Sequence, residues 1–169
     1  MRRLAILPAV AALFLAGCAG YHLGQVKPSY LKNVNNIAVP SFKNDTLLPR
    51  LEVPTANAVI SQIQQDGTYK VVRENEADSI LEGTIKSIDR QPARVLIGSV
   101  LTTTEFNLQL RIDYTLVDRR TGKELMRSSA IGETSFFVGG DLQQDEQQAI
   151  PLAAEKAAVQ IVSKLSEGW

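Results

Sequence analysis

The chain has 169 residues, with 18 Lys+Arg against 18 Asp+Glu, so its formal net charge is zero. Hydrophobic residues make up 44% and charged residues 21%, the balance of a folded domain, which excludes a disordered, collagen-like or disulfide-stapled chain. Zero net charge argues against a nucleic-acid partner, and one His with one Cys is too few for an intrachain zinc site and disfavours Ser-His-Asp or Cys-His catalysis.

The first segment departs from that average. Arg2 and Arg3 precede an apolar run from Leu4 to Leu15, and the small residues Ala16 and Gly17 close it, as in a secretory signal. Twelve helical residues span about 18 Å, well short of the roughly 30 Å hydrocarbon core. Pro8 weakens a membrane helix further, and no later stretch is long and apolar enough to span a bilayer. The expectation is a signal peptide over residues 1–17. Leu15-Ala16-Gly17-Cys18 resembles the lipobox of bacterial lipoproteins, which implies a diacylglycerol on the Cys18 thiol and cleavage before it. Two or more acyl chains anchor stably where one is marginal. Ala19 rather than Asp follows, which by the same resemblance implies the outer membrane. Cleavage leaves 152 residues with a formal charge of −2 and no free thiol. Folding must then rest on a hydrophobic core, which about 150 residues can supply.

Residues 18–33 read as a lipidated tether, broken by Gly20, Gly24 and Pro28; His22 in it has no neighbouring ligand partners and reads as a tether residue. Ile37–Phe42 reads as a short strand whose Pro40 implies an edge or strand end. A turn at Lys43–Thr46 leads to a helix over about Leu51–Asp66, with Pro54 in its first turn, Ala56, Val59, Ile60 and Ile63 on one face and Gly67 as C-cap. Tyr69–Val72 is a second short strand. Glu74, Glu76 and Asp78 form a solvated turn rather than a carboxylate pair for acid–base work. Ile80–Arg90 is a longer strand with Leu81, Gly83 and Ile85 on one face and Pro92 as its stop. Gln91–Ser99 reads as a loop or flared hairpin end. Phe106, Leu108, Leu110, Ile112, Tyr114 and Leu116 then alternate with Asn107, Gln109, Arg111, Asp113 and Thr115, an antiparallel strand with one wet face. Asp118–Lys123 closes a hairpin. Leu125–Val138 returns, with a bulge expected near Ser128, Ser129 and Gly132. Gly139-Gly140-Asp141 breaks it without a following Gly-Lys-Ser/Thr phosphate signature. A second, Ala-rich helix over about Gln144–Glu167 offers Leu152, Val159, Ile161, Val162 and Leu165 as its apolar residues.

The order β-α-β-β-β-β-α predicts an α+β fold over residues 34–169. It would be a two-layer sandwich, two helices packed on one face of a mainly antiparallel sheet of four to five strands. No nucleophile–base pair can be assembled around a lone His, so no enzyme activity and no cofactor are expected. Lys86 and Arg90, four residues apart, would share a strand face, with Arg94 just beyond. Arg119, Arg120, Lys123 and Arg127 surround the next hairpin. If the two sets met, their forked and point-like donors could hold phosphorylated head groups; otherwise Glu82, Asp89, Asp118 and Glu124 neutralise a solvated sheet end.

Taken together, these residues form a pattern. Gly20-Tyr21-His22-Leu23 follows Cys18. Then come Asn36-Ile37-Ala38-Val39-Pro40-Ser41-Phe42-Lys43-Asn44-Asp45-Thr46, Pro49-Arg50-Leu51-Glu52, Ala77-Asp78-Ser79-Ile80-Leu81-Glu82-Gly83 and a terminal Glu167-Gly168-Trp169. In this order behind a lipobox, the chain resembles the LPS-assembly lipoprotein family LptE over nearly the whole mature length. The resemblance implies two helices on a four-stranded sheet. It implies an outer-membrane lipoprotein that plugs the LPS-translocating β-barrel (LptD type) one-to-one, helps it assemble, and contacts LPS through basic side chains, for which Lys86, Arg90 and Arg94 are candidates. It implies no catalytic residue. The stretch from Ile37 to Asn44 ahead of a helix, with Ala77–Gly83, is also similar to curli-secretion lipoproteins, a lipid-anchored secretion module with another partner.

Overall fold

The run from Phe106 to Leu116 forms the middle of the sheet. In a computed structural model describing residues 27–96 and 102–168, Leu108, Leu110, Ile112, Tyr114 and Leu116 are buried, and Asn107, Arg111 and Asp113 are exposed on the opposite face. They belong to β5 (Thr102–Asp118), which pairs antiparallel with β4 (Ser79–Leu96) and β6 (Glu124–Phe137). Three short strands complete the sheet: β1 (Asn36–Ala38), β2 (Lys43–Asn44) and β3 (Lys70–Val71). The order is β3-β1-β4-β5-β6, with β2 also on β4. The sheet thus has six strands among the described residues. It is mixed, because β1–β3, β1–β4 and β2–β4 are parallel. The sequence led to four or five mainly antiparallel strands; the two-residue strands are too short to leave a period of their own.

β1 and β2 share one edge of β4. Ala38 lies opposite Ile80 and Lys43 opposite Thr84, and the stretch between them leaves the ladder at Pro40, which has no N–H to give. Phe42 is buried there and lies over Gly83, where a Cβ would come within 2.5 Å of its ring. Parallel pairing of β1 with β3 needs a crossover. Helix α1 (Glu52–Asp66) provides it, burying Ala56, Val59 and Ile63 and ending at Gly67 with φ 76°. Pro54 sits in the first turn, where its missing N–H has no intrahelical role.

The second helix, α2 (Leu142–Glu167), starts at Asp141, whose carboxylate accepts from the Gln143 and Gln144 amides. Its buried face is Ala149, Ala153, Ala157, Ile161 and Leu165 among others, whereas Leu152 and Val159 are 49% and 46% exposed. The sequence named these two among the apolar residues of the helix without assigning them a face. The alanines win because they let the helix backbone come close: a Cβ on Gly132 of β6 would lie 1.8 Å from the Ala153 carbonyl oxygen. Ser128, Ala130 and Gly132 on β6 are small for that reason. The strand stays in register along them, and the irregularity sits instead at Leu116/Val117, opposite Leu125. α1 and α2 lie side by side on one sheet face, and all the large buried side chains belong to one cluster beneath them.

Two further expectations are corrected. Pro92 does not stop β4, and of the two readings of the stretch around it, loop or flared hairpin end, Gln91–Leu96 is strand and fits the second. A register shift between Pro92 and Arg94 absorbs the proline, and the ladder continues with Arg94 opposite Glu105. The chain is already seated on the core at Leu31, which is fully buried within a short 3-10 turn (Ser29–Leu31).

Candidate functional site

Because both helices cover one face, the other face of β4, β5 and β6 is left to solvent or a partner. Its side chains are mostly polar, with Ile131 and the exposed Phe137 of β6 as apolar exceptions. Gln109 and Glu133 stand on one rung, with the amide donating to the carboxylate at 2.7 Å. Gln91, Asn107, Thr134 and Ser135 join them around a shallow hollow of about 290 Å³. Nearer the β5–β6 hairpin, a larger hollow of about 710 Å³ is lined by Lys43, Thr84, Lys86, Asp113, Arg127 and Ser129 among others. Lys86 is ion-paired with Asp45, and this hydrogen-bonded partner, with Asp113 nearby, raises its pKa above the ordinary lysine value. Arg127 grips Glu124 through Nε and Nη2, which holds the Glu124 carboxyl below its usual range. The surface therefore presents amides, hydroxyls and charges, of which Lys86 and Arg127 are paired. It can form many weak polar contacts. Among the described residues no cluster of three or more His, Cys, Asp or Glu could hold a metal ion.

Lys86 and Arg90 do not share a face. β4 is bulged at Lys86: Ile85 pairs with Ile112 and Ser87 with Arg111, leaving Lys86 as the extra residue. A single inserted residue reverses the inside–outside alternation beyond it. Lys86 therefore lines the open hollow. Arg90, opposite buried Leu108, turns to the helix side, where it pairs with Glu146 of α2 and lies 5.4 Å from the Phe106 ring centroid. Of Arg94 only the backbone is described, and Cys18 and His22 lie outside the described residues.

The two basic sets meet only in part: Lys86 and Arg127 line the same open hollow, whereas Arg90 lies far from the hairpin. The hairpin stands where Ser79 faces Asp118, while Arg90 faces Leu108, about ten residues or roughly 35 Å further along the strands. The hairpin residues serve structure: the Arg119 Nε donates to the Ala77 carbonyl at 2.7 Å, and Asp118 accepts from the Arg120 and Thr121 amides. Asp78 caps the start of β1, accepting from the Asn35 and Asn36 amides, and Glu76 pairs with Arg73. The sequence reading named Lys86 and Arg127, in the two sets whose meeting it left open, and missed Lys43 as their companion. The alternation of β6 with respect to Asp113 carried the signal for Arg127, since Ser129 faces Asp113 and Arg127 lies on the same side two residues away.

Solved structures with this arrangement come from several bacterial proteins. A minor lipoprotein from Acinetobacter baumannii superposes with a TM-score of 0.53 at 12% identity, covering 80% of this chain and 95% of that one. The PelC dodecamer from Paraburkholderia phytofirmans gives 0.50 at 16% identity over 83% and 95%. A protein from Xanthomonas campestris gives 0.55 at 10% identity over 83% and 90%. At such identities the likeness is one of fold. Among curated proteins none matches the chain. A family model described as LptE, lipopolysaccharide-assembly, matches residues 34–165, from the entry to β1 nearly to the end of α2. That span takes in the polar open face, the two-helix cover and most of the chain's length, so the chain belongs to the LptE lipopolysaccharide-assembly family.

Proposed function

We propose that this LPS-assembly protein is anchored to the outer membrane through Cys18 and occupies the lumen of an LPS-translocating β-barrel of the LptD type, one-to-one. In this reading it helps the barrel assemble, meets LPS in transit and catalyses nothing. The observation that carries it is the uncovered sheet face, whose amides, hydroxyls and paired charges suit the water-filled lumen of a large barrel better than lipid. Family membership favours this partner over that of the curli-secretion type. Of the basic candidates, Lys86 with Arg127 would meet an anionic head group on that face, while Arg90 is engaged on the helix side.

The test is purification of the native lipoprotein from membranes in mild detergent. The expected result is an equimolar complex with the barrel, and less assembled barrel in cells lacking the lipoprotein. A lipoprotein that runs alone, with barrel assembly unchanged in its absence, would overturn the reading.

A further inference from the structure

We infer that the loop Asp45–Arg50, between β2 and α1, is a preformed docking knob for the wall of a protein partner. Leu47 enters an apolar hollow there, and Arg50 meets a carboxylate at its rim. The identity of that partner rests on the barrel reading above.

Leu47 is 103% exposed, more than any other large apolar side chain among the described residues. Loops that carry a fully exposed leucine are usually free to fold it back; this one is held. The Asn44 amide donates to the Leu48 carbonyl at 2.7 Å and to Glu52 at 3.1 Å. Its carbonyl oxygen accepts from the Thr46 amide at 2.9 Å and the Thr46 hydroxyl at 2.7 Å. The Asp45 amide donates to the Ile85 carbonyl, and its carboxylate pairs with Lys86. These ties fasten the loop to β4 and to the first turn of α1.

Arg50 is the one non-glycine residue with positive φ, 66°, among the described residues. A side chain in that region is costly, and such strain persists where a site needs its geometry. Glycine would relieve it, yet the residue is a long cation. Its guanidinium has no ion pair among the described residues, whereas Asp45 is neutralised by Lys86. The loop thus presents one apolar knob beside one uncompensated positive charge. Its complement is an apolar depression with an acidic rim, which the wall of a protein partner can offer. The loop is also continuous with the partner-facing side, since the Asp45–Lys86 pair stands at the rim of the larger open hollow. A rigid anchor loses little conformational entropy on binding, which is the advantage of building it this way.

The experiment uses the full-length lipoprotein in membranes. Leu47→Asp combined with Arg50→Glu should lower captured barrel about tenfold, with the melting temperature within about 2 °C of the parent because neither side chain is buried. Arg50→Gly should raise the melting temperature and still weaken capture. A benzoylphenylalanine at position 47 should crosslink to the barrel. If the parent captures no barrel, the partner reading fails and this inference falls with it. If the parent captures barrel and the double variant captures as much, the docking loop alone is refuted. Adducts at position 47 to lipid only would make the knob a membrane contact and equally overturn the proposal.

Discussion

Tyr69 shows how one buried hydroxyl couples the fold to pH. It is 3% exposed, donates to the Leu165 carbonyl at 2.6 Å, and carries the Lys27 ammonium 4.8 Å above its ring. Burial pushes its pKa up to about 12. An unfolded tyrosine titrates near 10, so between about pH 10 and 12 the unfolded chain has released a proton that the folded chain keeps. The stabilisation is therefore complete below about pH 10 and is lost as pH rises through that window. The melting temperature should fall between about pH 10 and 12, and Tyr69→Phe should flatten part of that fall while costing about 1 kcal/mol at neutral pH for the lost hydrogen bond. Lys86, also raised, pulls in the same direction, so the difference between parent and variant isolates the tyrosine. Parallel alkaline limbs in the two proteins would assign the effect elsewhere.

Between elements, the decisive contact is small against small. Gly132 of β6 lets α2 pass with the Ala153 carbonyl where a side chain would begin. The helix backbone cannot yield without lifting the Ala149–Leu165 face off the sheet. Gly132→Ala should cost about 3 kcal/mol, a fall of roughly 10 °C in melting temperature for a chain of this length. Thermal melts check this directly, and a variant as stable as the parent would mean that α2 sits further from β6. The bulge at Lys86 acts at the same scale. By inserting one residue it sends Lys86 to the open face and Arg90 to Glu146, dividing a basic pair that strict alternation would join.

For the whole molecule, position would follow from the proposed anchor. The eight residues between Cys18 and Lys27 reach at most about 30 Å when extended, so a lipidated Cys18 keeps the domain at its membrane. Cys18→Ser should abolish acyl labelling and leave unprocessed precursor or soluble protein, read by metabolic labelling and membrane fractionation. A serine variant still cleaved and membrane-bound would refute the anchor. The polar open face, on the side away from both helices, is then the large uncovered surface available to a partner held close by.

Much of this was legible in the residues themselves. The period-two run of β5 named its buried and wet faces, and Gly67 ended α1 as its lack of a side chain allows. The ordered motifs from Asn36 to Gly83 pointed to the family that the match over residues 34–165 establishes. These are local signals, set by alternation, backbone freedom and residue identity. What tertiary structure decided was which of two plausible surfaces meets another element. It turned the alanines of α2 inward and left Leu152 and Val159 outside, because close approach over Gly132 buries more than larger side chains could at a greater distance. It carried β4 through Pro92, because a register shift can absorb a missing donor. It parted Lys86 from Arg90 for the same underlying reason: an inserted residue in one strand is defined only by the strand opposite, and a chain read alone has no opposite strand.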